Sequence, residues 1–337
     1  MTYVDQFSYD KPSVLIPRKG SVDKLYYVET PFWNVDTIFY TDIDSSRIAP
    51  KYLFYCLQRE HLEQYNTAGG VPSLTQTVLN KVQIPVPPLP VQREIVRILD
   101  NFTELTAELT AELTARKKQY EFYRDKLLTF DVLGKRTSKV VWRALGEVCD
   151  VVAGGTPSKK DTAYWEHGTI KWLGSTVCQN QKNIETVTAY ITEKGLAESS
   201  TKLMGKGTTL VALVGATIGK VAFLPFEAAI NQNIAGVYPK NIHELNPSYV
   251  YYACTLLYPK FLALTQGSKL AMANMSFVRS LKIPVPSLEV QNRIVFVLDN
   301  FNAICTDLSS GLPAEIEARQ KQYEYYRDKL LTFTPAD

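Results

Sequence analysis

The sequence predicts an α+β fold in which two mixed α/β globules alternate with two long helices. The helices are expected to pair as an antiparallel coiled coil, and the whole chain to form an internal pseudo-two-fold repeat. Two near-identical helical segments and the strand-rich stretch before each of them predict this order. The predicted parts are 1–88 (first globule), 89–133 (central helix), 134–288 (second globule) and 289–337 (C-terminal helix).

A tandem duplication carries this prediction. Residues 84–102 and 283–301 are identical at 13 of 19 positions, and residues 116–130 and 319–333 at 13 of 15. The two offsets, 199 and 203 residues, differ by four. A repeat of this length indicates two large copies rather than an array of small units.

Apolar and aromatic residues recur along both duplicated segments in steps of three and four. In the first copy the mean step is 3.5 residues, which is the spacing of a coiled coil. A proline-rich entry precedes each segment and predicts where the helix begins. In the second copy, Gly311, Leu312 and Pro313 predict a kink or break. Two such helices in one chain are expected to pack on each other.

The stretches before the helices are typical of mixed α/β structure. In the second copy, residues 208–215, 220–226 and 235–239 are short apolar runs between glycines and polar turns, which predicts strands. Asn246 followed by proline predicts a helix start, as does Ala49 followed by proline in the first copy.

Composition excludes several classes of protein. Lys and Arg number 37 against 34 Asp and Glu, so a basic surface must come from local clustering. The five cysteines and three histidines are scattered, which predicts neither a disulfide framework nor a zinc site. No signal peptide and no apolar run of about 18 residues is visible, which favours a cytoplasmic location.

Motifs of catalysis are missing from the sequence. Residues 246–249, Asn-Pro-Ser-Tyr, lack the second proline of the adenine methyltransferase motif and fit a helix cap better. Residues 215–220 are similar to a phosphate-binding loop, but Val221 stands where Ser or Thr binds magnesium. We therefore expect a non-catalytic chain with no metal and no cofactor of its own.

Polar, basic and glycine-rich loops in both globules predict contacts with DNA. Lys and Arg bind phosphates, and amide and hydroxyl side chains read base edges. Any one of these residues also fits a solvated turn, but a set that repeats in both globules favours DNA. The candidates are Arg18, Lys19, Ser21, Lys24 and Asn34 in the first globule, and Thr156, Ser158, Lys159, Lys160, Lys206, Thr217, Lys220, Asn231, Gln232 and Asn233 in the second. Lys159, Lys160, Lys206 and Lys220 are expected to face one DNA-binding surface of the second globule.

The chain as a whole resembles the specificity subunit of type I restriction–modification enzymes. The resemblance is carried by GGTPSK at 154–159, VQREIVRILDNF at 91–102, the repeated TAEL at 106–113 and GLPAEIEARQKQYEYYRD at 311–328. It spans nearly all of the 337 residues.

The resemblance implies a division of labour. Each globule would be a target-recognition domain for one half of a bipartite site in double-stranded DNA, and the coiled coil would set the spacer. Methylation subunits and restriction subunits would be the partners and would carry S-adenosylmethionine, ATP and magnesium. The specificity subunit itself would be non-catalytic. The candidate docking positions on the helices are Tyr120, Tyr123, Arg124, Tyr323, Tyr326 and Arg327.

Two alternatives stay open at this point. A coiled-coil scaffold that binds protein and no DNA would keep the helices and leave the loops facing solvent. A stand-alone enzyme, such as a methyltransferase, would carry bound S-adenosylmethionine in the isolated chain.

The first globule is predicted to be shortened at its N-terminus. Gly215 lies 73 residues after Trp142, whereas the equivalent Gly20 lies 19 residues after Met1, a deficit of 73 − 19 = 54 residues. The counterpart of the 154–160 loop falls within this deficit. We therefore expect the chain either to associate with another copy or to read only one half-site strongly.

Overall fold

The computed structural model describes residues 5–66, 69–130, 140–184, 186–265, 272–307 and 309–333. The chain divides into two compact units: residues 1–114 with 306–337, and residues 115–305. The predicted boundary between residues 133 and 134 lies outside the described residues, as do residues 1 and 337 at the two ends of the predicted parts.

The described part of the first unit contains a three-stranded antiparallel sheet in the order β2-β1-β3. Val14 and Ile16 alternate into its core, where they meet Leu57, Leu62 and Leu74. The N-terminal stretch of this unit contains β1 (Ser13–Pro17), β2 (Tyr26–Val28), β3 (Ile38–Tyr40), α1 (Pro50–Arg59), α2 (Gln76–Leu79) and the first part of α3 (Leu89–Thr129).

The second unit begins with the last turns of α3. Its described residues form two four-stranded sheets, β10-β9-β12-β5 and β7-β6-β11-β8, and a two-stranded ladder, β13-β4. The elements are β4 (Val141–Ala144), α4 (Leu145–Val148), β5 (Cys149–Ala153), β6 (Ile170–Leu173), β7 (Ala189–Ile191), α5 (Glu193–Ala197), β8 (Lys202–Met204), β9 (Thr209–Ala212), β10 (Val221–Phe223), β11 (Ala228–Ile230), β12 (Ile234–Pro239), α6 (Pro247–Thr255), α7 (Tyr258–Thr265), α8 (Met275–Ser280), β13 (Lys282–Val285) and α9 (Leu288–Thr306).

Strand β9 shows why this unit holds together. All four of its residues are buried, because both faces of its sheet are covered. Val211 packs in the cluster that contains Tyr249 of α6, whereas Leu210 packs in the cluster that contains Ile230 of the second sheet. The alternation of side chains along one strand therefore joins a helical layer and a second sheet.

The C-terminal copy of the long helix is interrupted, as the sequence predicts. After α9, the chain resumes as α10 (Leu312–Leu330), with Gly311 as its N-cap and Pro313 in its first turn. The side chains of Ser309 and Ser310 donate to the Asp307 carboxylate in between. These hydrogen bonds hold the pKa of Asp307 well below its usual range.

The long helices pack antiparallel within each unit, which confirms the predicted pairing. In the first unit, Tyr326 of α10 stacks on Phe102 of α3 with ring centroids 5.4 Å apart, and Leu331 shares a buried cluster with Leu99. The second unit contains the equivalent contact, in which each repeat copy supplies the other partner: Tyr123 of α3 packs on Phe301 of α9, with ring centroids 5.9 Å apart.

All five cysteines are buried and unpaired. Burial raises the pKa of the Cys56, Cys149 and Cys178 thiols to about 12, so at neutral pH these thiols are protonated. Across the described ranges, no helix combines the length and the apolar character needed to span a membrane.

Candidate nucleic-acid interface

Four loops of the second unit meet at one edge of its sheets. Neighbouring strands of the first sheet run antiparallel, so β5 and β9 end at the edge where β10 and β12 begin. Strand β6 of the other sheet ends there too, because the N–H of Asn231 donates to the carbonyl of Leu173 at 3.1 Å. We call residues 154–160, 174–182, 213–220 and 231–233 the loop edge.

Two glycines fix the first loop against the sheet. A Cβ on Gly154 would collide with the carbonyl of Ile230, and a Cβ on Gly155 would lie 2.7 Å from the nitrogen of Thr201. The N–H of Gly155 donates to the same Ile230 carbonyl at 2.9 Å. The Thr156 hydroxyl then donates to the amide oxygen of Gln232 at 2.5 Å. Two of the predicted DNA-binding stretches are therefore in direct contact.

The loop between β9 and β10 needs glycine for a different reason. Gly215 and Gly219 adopt φ values of +69° and +74°, which favour glycine. A Cβ on Gly219 would also collide with the ring of Phe261. This turn presents Lys220, whose Nζ donates to the side chain of Gln179 at 3.2 Å. Thr217 lies in the same turn, and its hydroxyl donates to the carbonyl of Val214 at 3.5 Å.

The charge on the loop edge has one sign. Its four lysines are accompanied by no aspartate or glutamate within the four loops, all of whose residues the structure describes. Lys182 is ion-paired with Asp299, whereas Lys159 and Lys160 are exposed and Lys220 is half-buried. A cationic edge next to exposed amides suits phosphate oxygens and base edges.

The other predicted residues of this unit have diverse positions. Ser158 is exposed and accepts from the N–H of Lys160 at 3.3 Å. Asn231 is 8% exposed, and its side-chain oxygen accepts from the N–H of Asn233 at 3.0 Å, so Asn231 shapes the loop from inside. Gln232 is exposed and Asn233 half-buried. All of these lie at the loop edge.

Lys206 is placed differently from the other predicted lysines. It lies in the turn between β8 and β9, and Lys202, at the start of β8, pairs with Ile230 beside the loop edge. The turn after β8 is therefore at the opposite edge of the sheets. The expectation that Lys206 shares one surface with Lys159, Lys160 and Lys220 is corrected on this point, because β8 carries the chain across the sheet before residue 206.

The loop edge also contains residues that the sequence reasoning missed. Gln179 and Gln181 are exposed in the loop after β6. Asn180 has a φ of +60°, and its side chain accepts from the N–H of Val221 at 3.0 Å. The run Gln-Asn-Gln at 179–181 mirrors Asn-Gln-Asn at 231–233. That similarity in the sequence could have indicated that residues 179–181 belong to the same surface as residues 231–233.

The predicted residues of the first unit gather at the equivalent sheet edge. Arg18 donates to the carbonyl of Asp36 at 2.6 Å and lies over the ring of Phe39. Lys19, Ser21 and Lys24 are exposed in the same turn, together with Asp23. Asn34 uses its amide to donate to the carbonyl of Ile38 at 3.1 Å. This edge therefore mixes both signs of charge.

Each globule joins its long helix through the same buried glutamine. In the first unit, Gln92 accepts from the N–H of Ala49 at 2.8 Å and donates to the carbonyls of Arg47 and Pro87 at 2.9 and 2.7 Å. In the second unit, Gln291 accepts from the backbone N–H of Asn246 at 2.8 Å and donates to the carbonyls of Glu244 and Pro286 at 2.9 and 2.8 Å. Both glutamines are fully buried.

A second duplicated contact strengthens each joint. Tyr55 donates to Asp100 at 2.5 Å in the first unit, and Tyr252 donates to Asp299 in the second. A lysine pairs with the same carboxylate in both: Lys51 at 2.9 Å and Lys182, respectively. The joints thus fix the direction in which each helix leaves its globule.

We expect Gln92→Leu to lower the free energy of unfolding by about 2–4 kcal/mol. The substitution keeps the volume but leaves one N–H and two carbonyls without their partner in a buried joint. Gln320→Leu on the exposed face of α10 is the control, with an expected change within about 0.5 kcal/mol. Urea unfolding of both variants measures the difference. Equal midpoints would show that the glutamine does not hold the joint.

The predicted docking residues on the helices largely make contacts within their own unit. Tyr120 packs against the second-unit core, and burial raises its pKa to about 12. Its counterpart Tyr323 donates to Gln58 at 3.0 Å. Arg124 and Arg327 pair with the adjacent Asp125 and Asp328, and Tyr123 and Tyr326 make the inter-helix ring contacts described above.

Their neighbours in the repeat are more exposed, although Tyr123 and Tyr326 are themselves 38% and 41% exposed. Phe122 is 59% exposed and Tyr325, its counterpart, is 60% exposed. A lysine lies over each ring: Lys126 at 5.4 Å and Lys329 at 5.7 Å. We call these two aromatic–lysine pairs the helix patches. Sequence reasoning passed over them because the heptad seam draws attention to the buried positions.

A comparison with known families identifies the chain. A family model described as the type I restriction modification DNA specificity domain matches residues 1–116 and 137–318. The chain belongs to this family. The specificity subunit of the Escherichia coli type I restriction enzyme EcoR124I/EcoR124II is 38% identical over 307 residues, which is 87% of this chain and 73% of that relative.

Solved specificity subunits share the fold. The S subunit of the type I restriction–modification system of M. genitalium superposes with a TM-score of 0.60 at 16% identity, over 98% of this chain and 86% of that one. The HsdS subunit of Thermoanaerobacter tengcongensis gives 0.54 at 19% identity, over 95% and 80%. The two mixed α/β units with long helices are thus the fold of a type I specificity subunit.

Family membership answers the main functional question. As a type I specificity subunit, the chain recognises DNA and acts with methylation and restriction subunits rather than as a catalyst. The predicted family and role are confirmed, and nothing in the comparisons favours the scaffold alternative. The individual DNA-contacting residues stay predictions.

Proposed function

We propose that this specificity subunit reads a two-part sequence in double-stranded DNA, one part with each unit. The loop edge is the observation that carries the proposal. Lys159 and Lys160 are exposed there and Lys220 is half-buried, the four loops contain no carboxylate, and a row of amides lies on loops held by glycines. Lysines supply contacts to phosphates, and Gln and Asn side chains supply contacts to base edges. The edge with Arg18, Lys19 and Lys24 serves the other half-site.

The gap between the half-sites is set by α3 in this proposal. Helix α3 is continuous over 41 residues, which corresponds to about 60 Å, and it contributes residues to both units. Three threonines in its middle, Thr106, Thr110 and Thr114, donate to the carbonyls four residues earlier, so their hydroxyls are satisfied within the helix. A continuous helix has a fixed length, and the unread gap is therefore fixed.

Methylation subunits dock on the helix patches in this proposal. An exposed aromatic with a neighbouring lysine is typical of an interface anchor. The patches occur twice, once in each copy of the repeat, which suits two identical partners. S-adenosylmethionine belongs to those partners, ATP and magnesium belong to the restriction subunits, and the complex acts on DNA in the cytoplasm.

Phe122→Ala is expected to reduce the number of bound methylation subunits from two to one, and Phe122→Ala with Tyr325→Ala to none. Native mass spectrometry with the cognate methylation subunit counts them. Phe296→Ala is the matched control, because Phe296 is 69% exposed on α9 but has Arg97 at the repeated position. Two bound subunits on the double variant would remove the patches from the interface.

An electrophoretic shift assay tests DNA reading itself. The chain together with its methylation subunit should retard duplex DNA, and the observed binding constant should fall steeply as salt is raised. The measurement is repeated with DNA that lacks one half-site. Binding that neither weakens with salt nor depends on sequence would contradict the proposal.

A further inference from the structure

The two units contain the same small sheet. In the first, β1 lies between β2 and β3, as β9 lies between β10 and β12 in the second. The registers agree, since Ile16 pairs with Phe39 as Val211 pairs with Ala235. The loops agree as well: the N–H of Leu74 donates to Arg18, and the N–H of Ala273 to Leu213, both at 2.9 Å. Equivalent positions can therefore be assigned residue by residue.

In the second unit, one side of this sheet is covered by residues 141–153. Strand β5 pairs with the outer edge of β12, and β4 pairs with β13. The segment buries Leu145, Cys149 and Val151, which are 0–5% exposed. Arg279 of α8 donates to the carbonyl of Val151 at 2.9 Å. We call residues 141–153 the covering segment.

Nothing among the described residues of the first unit takes the place of the covering segment. No strand of the described part pairs with the outer edge of β3. A cavity of about 650 Å³ lies there instead. Its lining includes Ile38, Tyr40, Leu79, Asn80, Val82 and Ile84. By register these are the equivalents of Ile234, Gly236, Val278, Arg279, Leu281 and Ile283.

The lining positions are those that meet the covering segment in the second unit. Leu281 accepts from the N–H of Leu145 at 2.8 Å, and Ile283 pairs with Arg143. Gly236 pairs with Val152. The cavity therefore has a strand edge and apolar side chains beside polar ones, at the positions where a strand–helix–strand segment fits. The unpaired outer edge of β3 is also a template for strand addition.

We propose that this cavity and the outer edge of β3 bind the covering segment of another specificity-subunit chain. Within the described residues, the covering segment of this chain already fills its own second unit. A second copy would have to open its own core to donate it, and the exchange would gain no contact. A different chain of the same family, with the Leu-x₃-Cys-x-Val pattern of residues 145–151 in an unfilled segment, meets no such cost.

One position makes the pairing selective. In the second unit, Asp150 pairs with Tyr238, whose equivalent in the first unit is Asp42. Asp42 is exposed, accepts from Tyr9 at 2.8 Å and lies 4.0 Å from Lys11. Two carboxylates directly opposite each other on neighbouring strands repel. The preferred segment therefore carries a neutral or basic residue at the position of Asp150.

Backbone hydrogen exchange on the full chain tests the proposal with three synthetic peptides of residues 140–154. The peptide with Asp150→Lys is expected to slow exchange of the Tyr40 and Asp42 amides about tenfold or more, because a new strand would pair with them. The unchanged peptide should protect them less. The peptide with Leu145→Asp and Val151→Asp should not protect them at all.

A fused segment tests the same contact if the free peptide binds too weakly to change the exchange rates. Nine residues, 131–139, separate Phe130 from Val140 before the covering segment, and Phe333 is the counterpart of Phe130. A chain with residues 131–153 and Asp150→Lys placed after Phe333 supplies the segment at high effective concentration. Protection of Tyr40 and Asp42 by the Asp150→Lys peptide or by this fusion supports the proposal. Unchanged exchange of both amides in both experiments overturns it.

Discussion

Replacing Lys159, Lys160 and Lys220 by alanine is expected to lower affinity for duplex DNA roughly a hundred- to a thousandfold at about 0.1 M salt. Each lysine that neutralises a phosphate releases counterions, which at this ionic strength is worth roughly tenfold per contact. The slope of log K against log salt should fall by about three units in magnitude. The loss should be similar for specific and unrelated sequences, since phosphates carry no sequence information.

Lys206→Ala provides the matched control for this experiment. It removes one positive charge from the same unit, but Lys206 lies at the opposite edge of the sheets. We expect its affinity and salt slope to stay close to those of the unaltered chain. If the triple variant keeps its slope while Lys206→Ala loses one unit, the DNA-facing edge has been assigned to the wrong side.

Deleting Thr110–Leu113 is expected to change the unread gap of the target and leave both half-sites as they are. The deletion removes one TAEL repeat, shortens α3 by about 6 Å and rotates its far end by about 40°. One base pair turns the duplex by about 34–36°, since about 10–10.5 base pairs make a turn. The new gap should therefore differ by about one to two base pairs.

The spacer experiment needs a variant that changes the helix without changing its length. Thr110→Ala removes the hydrogen bond to the carbonyl of Thr106 but keeps every residue in register. It should leave the gap unchanged. Methylation of a panel of duplexes with gaps of different lengths reads the result. A deletion variant that still selects the original gap would show that α3 does not set it.

The long helices could be predicted because their signal is local and repeated. A 3.5-residue spacing over ten steps, proline at the entries and the Gly311–Pro313 break all act within a few residues of the chain. The antiparallel pairing followed from the duplication itself. The buried glutamines were not foreseen, since a single Gln in a helix looks like a surface residue until its three backbone partners are known.

The loop edge could be predicted only in part. Gly154 and Gly155 predicted a tight turn, and the lysines that follow them predicted a positively charged loop. Which loops share an edge depends on how the strands are ordered, and that order is a long-range property. Lys206 shows the consequence, because one short strand separates it from the other lysines. The covering segment could not be predicted from the sequence either, because its two strands pair with different partners: β4 with β13 and β5 with β12.

Mapping methylated bases in host DNA tests the central claim most directly. Three kinds of cell are compared, all of which produce the methylation subunit. The first also produces the unaltered chain, the second produces no specificity subunit, and the third produces a chain in which residues 140–287 come from a relative of different specificity. The account predicts a two-part motif that disappears without the chain and in which only one half changes after the exchange. A motif that persists without the chain, or keeps both halves after the exchange, would contradict it.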